Sequence, residues 1–122
     1  MPDSDPIESV LASIKKVLNI PADVTVFDPD IIMHTNTAFA KLHQLGVGPS
    51  DGFFIADEEA EWGDFSTELP LNMVRTYVYM EVRLVFDPPT ASVLTAMEKQ
   101  RDELAWRLSV AAEDLREGVS FA

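Results

Sequence analysis

Carboxylates are the side chains of this sequence whose number and spacing could do chemistry. Residues 51–68 include seven Asp or Glu and no Lys or Arg. Four of these acids fall at positions 1, 3, 5 and 12 of a calcium-binding loop: Asp57, Glu59, Glu61 and Glu68. Position 6, where the sharp turn of such a loop needs glycine, is Trp62, and no flanking helices are predicted. The pattern therefore argues against a calcium site.

Other kinds of catalysis lack the residues that they need. The chain has no cysteine, which excludes a thiol nucleophile, a disulfide scaffold and a Cys-ligated zinc. His34 and His43 fall on opposite sides of a predicted helix and cannot share a metal. No phosphate-binding loop, dinucleotide fingerprint, zinc-protease motif or nucleophile elbow occurs. We therefore predict a binding or structural protein that is not an enzyme and carries no metal or cofactor.

Composition limits the partners of the protein. The 122 residues predict a single domain, and a net charge of −12 leaves no basic face for binding a nucleic-acid backbone. No charge-free stretch is long enough to span a bilayer as a helix, and the amino-terminal residues lack the pattern of a secretory signal. We expect a soluble, intracellular protein with no membrane contact.

Apolar residues at helical spacing predict three helices that would form the framework. The first covers residues 7–18, and the second begins at Asp28 as N-cap and stops at Gly46. The last and longest follows Thr90 as N-cap and runs from Ala91 to about Glu113. Its apolar stripe consists of Val93, Met97, Leu104, Leu108 and Ala111.

Residues 71–86 fit both a strand and a helix. Apolar and polar residues alternate in the second half of the segment, but its length without Gly or Pro is unusual for a strand, so we favour a helix. On that helix Glu81 falls within the apolar arc, where a lone carboxylate is costly to bury. It therefore needs a cationic or hydrogen-bonding partner, or it faces water at a seam between subunits.

The acidic region predicts a short β-hairpin. Residues 53–55 and 60–62 would be its strands, and the acidic residues of its tip are Asp57, Glu58 and Glu59. Trp106 points away from the stripe of the last helix, so it is either covered by another part of the chain or an interface anchor. The predicted fold is mainly α: a small helical bundle with a long C-terminal helix and a short β-hairpin, with flexible tails at residues 1–6 and 115–122.

Four stretches of the sequence resemble a known family. They are FDPDIIMHTNTAFAKLHQLGVGP (27–49), GFFIADEEAEWGDF (52–65), YVYMEVRLVFDPP (77–89) and MEKQRDELAWRLSVAAE (97–113). In this order and at these distances they resemble the small head-tail connector proteins of long-tailed bacteriophages, also called head-completion or adaptor proteins. The resemblance covers residues 7–113.

This resemblance implies a structural virion protein without catalytic residues. It implies a dodecameric ring that docks between the portal protein and a tail-proximal connector or stopper protein. The ring would assemble in the host cytoplasm. DNA would pass through the lumen without specific binding. As candidates we take Asp57, Glu58, Glu59 and Glu61 for a channel-lining or portal-facing surface, and Trp62, Glu81 and Trp106 for subunit interfaces.

Three other interpretations stay open at this stage. The first is a small acidic adaptor or regulatory protein that binds a basic partner as a monomer or dimer. The second is an enzyme with an unrecognised carboxylate or calcium site. The third, an acidic mimic of nucleic acid, fits the charge but explains the amphipathic helices less well.

Overall fold

The computed structural model describes residues 8–118, which form five helices. They are α1 (Val10–Val17), α2 (Asp28–Gln44), α3 (Trp62–Phe65), α4 (Leu71–Phe86) and α5 (Ala91–Arg116). The mainly helical prediction, with a long helix at the carboxyl end, is therefore confirmed. No helix in this part of the chain has the length and apolar character needed to cross a bilayer.

Helix α4 is the centre of the bundle and packs against both α2 and α5. Its buried residues cover a broad arc of the helix rather than a narrow stripe. They are Val74, Tyr77, Val78, Met80, Glu81 and Val82. Residues 71–86 thus form a helix and not a strand, which confirms the helical prediction. A single apolar cluster includes residues of all five helices, so these elements share one core.

The start of α2 differs from the prediction by one position. Asp28 is the first helical residue rather than the N-cap, and Pro29 follows it in the first turn. Instead of capping the helix, a carboxylate oxygen of Asp28 lies 2.9 Å from Nζ of the buried Lys15. The ion pair with α1 takes the side chain away from the backbone N–H groups that an N-cap would satisfy.

Helix α5 is buried only in its second half. Its buried residues are Leu108, Ala111 and Ala112, whereas Val93 of the predicted stripe is exposed. The helix extends through Arg116, whose guanidinium donates a 3.0 Å hydrogen bond to the Gly46 carbonyl. Residues 115 and 116 of the predicted tail are therefore helical. Residues 119–122, residues 1–6 of the other predicted tail, and Ile7 of the first predicted helix lie outside the described residues.

The predicted β-hairpin is wrong. The backbone N–H and C=O of Ile55 pair with the Asn36 side chain, at 2.7 and 2.9 Å, rather than with a partner strand. On the other side, the segment at Ala60 pairs with the start of α1, where the Val10 N–H donates to its carbonyl at 3.0 Å. The only β-bridge in residues 8–118 joins Ser9 to Glu61. The two arms thus bond to other elements and not to each other.

Candidate functional site

The acidic loop, residues 51–61, projects its carboxylates into solvent. Asp57, Glu58, Glu59 and Glu61 are all exposed, and within residues 8–118 none of them forms an ion pair. Asp57 accepts a 2.8 Å hydrogen bond from the Glu59 N–H, which fixes a local turn. The loop therefore presents an uncompensated negative surface on a backbone that Asn36 and α1 hold in place.

These carboxylates do not converge. In the part of the chain that the structure describes, no group of three or more His, Asp or Glu side chains is arranged to hold a metal ion. The Asp57, Glu59, Glu61 and Glu68 spacing thus brings no calcium ligands together here. The acidic loop can act on its surroundings through its field, which repels anions and attracts cations.

Trp62 is a core residue. Its side chain is 0% exposed, and its indole N–H donates a 2.8 Å hydrogen bond to Ser13 Oγ. The ring packs 6.0 Å from that of Phe39, and the Arg75 guanidinium lies 5.7 Å from its centroid. In this conformation Trp62 offers no surface to a second subunit, which corrects its assignment as a subunit-interface candidate.

Trp106 is the opposite case, with 65% of its side chain exposed. The alternative in which another part of the chain covers it does not occur in residues 8–118. It borders a shallow cavity of about 270 Å³ whose lining includes Met73 of α4 and Val110 of α5. A large exposed indole beside an apolar depression has the form of a contact surface for another protein.

Glu81 is buried and has its partners inside the same chain. Its carboxylate accepts hydrogen bonds from Lys41 Nζ of α2 at 3.1 Å and from the Tyr77 hydroxyl at 2.9 Å. Arg101 Nε of α5 lies 3.9 Å away. The expected cationic partner is thus present, and Glu81, 8% exposed, joins three helices rather than facing water at a seam.

The environment of Glu81 also changes Tyr77. Burial, and after it the negative charge and hydrogen bond of Glu81, raise the pKa of the Tyr77 hydroxyl above its usual range. The phenol therefore stays protonated and acts as a donor to the carboxylate. This cluster stabilises the bundle by joining α2, α4 and α5.

Comparison with known families decides the class of protein. The family model described as phage connector protein matches residues 10–114, most of the chain. The chain belongs to the phage connector protein family. The resemblance found over residues 7–113 is therefore confirmed, and this connector is a structural protein of the bacteriophage virion. The family is a structural class and not an enzyme class. No curated protein and no solved structure shows a significant match to this connector.

Several contacts of this connector carry no local signal in the sequence. The need of Glu81 for a cation was predictable, but Lys41 lies 40 residues away. The Asn36 side chain that holds Ile55 looks like any polar residue on the second helix. The exposed apolar pair of Val26 and Val85 comes from segments that only the fold brings near each other.

Proposed function

We propose that this connector forms a dodecameric ring between the portal and the tail of a bacteriophage, where it completes the head and lines the DNA channel. The observation that carries the proposal is the family match over residues 10–114. Its partners are then the portal protein on one side and a tail-proximal connector or stopper protein on the other. It assembles in the host cytoplasm and stays in the virion.

Closing a ring needs a heterologous contact, in which one surface of a subunit meets a different surface of the next. Trp106 and its cavity supply one such surface, because an indole anchor that is exposed in the single chain gains the most from burial in an interface.

The acidic loop suits the channel wall. Copies of Asp57, Glu58, Glu59 and Glu61 around a ring make a negative collar, which repels the phosphate backbone and keeps DNA from adhering. The competing role for this loop is docking on a basic portal surface.

The first experiment is co-sedimentation of the connector with the portal ring encoded in the same phage genome, with imaging of the pellet. The proposal expects a collar of added density on one end of the portal. No association at any salt concentration would contradict it and favour a monomeric or dimeric acidic adaptor.

The Trp106→Ala variant tests the interface. We expect the thermal midpoint of the single chain to change little, because the indole is mostly exposed, and ring or portal assembly to weaken. Met33→Ala, which truncates an exposed apolar side chain on α2, is the matched control and should assemble normally. A large loss of stability in Trp106→Ala would defeat the interface assignment.

A double charge reversal separates the two roles of the acidic loop. With Glu58→Lys and Glu59→Lys, a channel-lining loop gives intact particles with altered DNA packaging or ejection, whereas a docking loop gives heads without connectors. The control carries Glu113→Lys and Glu117→Lys, which change the net charge equally at exposed positions of the α5 end.

A further inference from the structure

An exposed apolar surface lies where the start of α2 meets the end of α4. The ring of Phe27 packs edge-on against that of Phe86, with 5.7 Å between centroids. The contact brings together two short segments, residues 24–30 and residues 84–93, which we call the apolar end. Helix α5 starts within the second segment, so three helix ends meet there.

Large apolar side chains at this end remain open to solvent. Val26 is 74% and Val85 59% exposed, although each is the chain neighbour of a ring in the Phe27–Phe86 pair. Phe27 itself and Val93 are also exposed. Exposed valines and an aromatic ring in two segments that contact each other are typical of a protein contact, whereas isolated exposed side chains need no partner.

The rim of the apolar end is acidic and lacks positive charge. No Lys or Arg occurs in residues 17–40 or 84–98, whereas Asp23, Asp30 and Asp87 are exposed. Of the cations that flank these ranges in sequence, Lys16 and Lys99 are exposed, whereas Lys15, Lys41 and Arg83 are already engaged. Lys15 is buried against Asp28, and Arg83 donates to the Asp87 carbonyl at 2.6 Å. A partner that carries positive charge along its edges therefore complements the exposed acids of this surface.

We infer that the apolar end is the docking site for an amphipathic segment of a different protein, with apolar side chains on one face and Lys or Arg along its edges. A second copy of this chain fits less well. Contact between two identical apolar ends places acids against acids. Within residues 8–118, six of the nine Lys and Arg also form ion pairs, which leaves few for contact with a second copy. The six are Lys15, Lys41, Arg75, Arg83, Arg101 and Arg107.

The apolar end is also preorganised for binding. Pro88 and Pro89 connect α4 to α5, and their rings restrict the backbone between Val85 and Val93. The Phe27–Phe86 contact fixes the other segment against it. A surface that is already ordered loses little conformational entropy when a partner binds, which favours affinity.

The inference deepens the proposed function, since it rests on that function for the expectation that the partner is another protein of the particle. The test uses a peptide of about 18 residues built from Leu and Lys with the leucines on one face of a helix. Its affinity for the full chain is measured by fluorescence anisotropy, and its position by chemical-shift changes in the NMR spectrum.

Two variants probe the site. One control variant measures how much a charge change away from the site alters the general attraction of a basic peptide to this acidic protein. Val26→Ser with Val85→Ser removes exposed apolar contacts, and Asp30→Lys reverses a rim charge. Glu59→Lys makes the same charge change in the acidic loop. We expect each site variant to bind the peptide at least about tenfold more weakly, Glu59→Lys to bind within about twofold of the original chain, and the shifts to centre on residues 24–30 and 84–93.

Equal weakening by Asp30→Lys and Glu59→Lys, or shifts centred on the acidic loop, would overturn the inference. The same proteins are tested against the portal ring in parallel. Failure of the unaltered chain to bind the portal contradicts the proposed ring, whereas the peptide result alone decides whether the apolar end is a docking site.

Discussion

The Tyr77 hydroxyl donates a 2.9 Å hydrogen bond to the carboxylate of Glu81, one turn further along α4. The same carboxylate receives Lys41 from α2 and approaches Arg101 from α5. A single acidic residue on the buried arc of the central helix thereby links it to both of its main neighbours. Its role is structural, and it sets two measurable properties of the bundle.

The first prediction concerns the size of this contribution to stability. Glu81→Ala should lower the free energy of unfolding by about 2 kcal/mol, because it leaves the buried Tyr77 hydroxyl without its acceptor. Lys41 is half exposed and regains water, which limits the loss. Urea unfolding measures the change.

The control for this prediction is Glu103→Ala. Glu103 pairs with Arg107 at 2.8 Å, but both side chains are largely exposed, so the variant should change stability by less than about 0.5 kcal/mol. Equal losses in the two variants would show that burial of Glu81 contributes nothing beyond a surface ion pair.

The second prediction concerns alkaline pH. The raised pKa means that folded Tyr77 keeps its proton at a pH where the unfolded chain, with an ordinary pKa near 10, has lost it. The unfolded state then binds fewer protons, so the free energy of unfolding falls as pH rises above about 10, by up to about 1.4 kcal/mol per pH unit. Below that pH the contribution is fully present.

Denaturant unfolding at a series of pH values measures this fall. Tyr77→Phe should reduce it, whereas Tyr79→Phe, which changes the other tyrosine of the chain, should retain it. The same slope in all three proteins would show that Tyr77 titrates alike in the folded and unfolded states.

The third prediction concerns the turn after α2. Gly48 has φ of +99°, and a Cβ there would lie 2.5 Å from Cε1 of the buried Phe65. Gly48→Ala should therefore cost about 2–4 kcal/mol through backbone strain and overpacking. Gly63→Ala is the matched control, since a Cβ at Gly63 meets nothing within 4 Å. Thermal and urea unfolding compare them, and a neutral Gly48→Ala would contradict the positive φ.

Elements defined by local pattern were predictable, and contacts between distant segments were not. A run of 16 residues without Gly or Pro is longer than an ordinary strand and predicts a helix over residues 71–86, and α4 occupies that range. The start of α5 after Thr90 was equally local. The predicted hairpin is wrong because apolar alternation and turn residues do not reveal other hydrogen-bond partners for its two arms. Asn36 bonds to the first arm and the start of α1 to the second.

The candidate site shows the same division. That Trp106 lies off the apolar stripe follows from helical spacing, and the exposed indole agrees with it. Trp62 has no such spacing to place it, and a bond to Ser13 from 49 residues away holds it in the core. The apolar end has no local signal in the sequence, because only the Phe27–Phe86 contact brings residues 24–30 and 84–93 together.

The last prediction tests what replaced the hairpin. Asn36→Ala removes both partners of the buried Ile55 backbone, so the free energy of unfolding should fall by about 1–3 kcal/mol. Hydrogen exchange at the Ile55 amide should accelerate at least about tenfold. Without the Asn36 side chain, the acidic loop can open locally without the cost of breaking a hydrogen bond to this amide. Asn72→Ala, an exposed asparagine on α4, is the control and should leave both quantities nearly unchanged. If the loop instead formed a hairpin in solution, a partner strand would protect its amides, and Asn36→Ala would not alter their exchange.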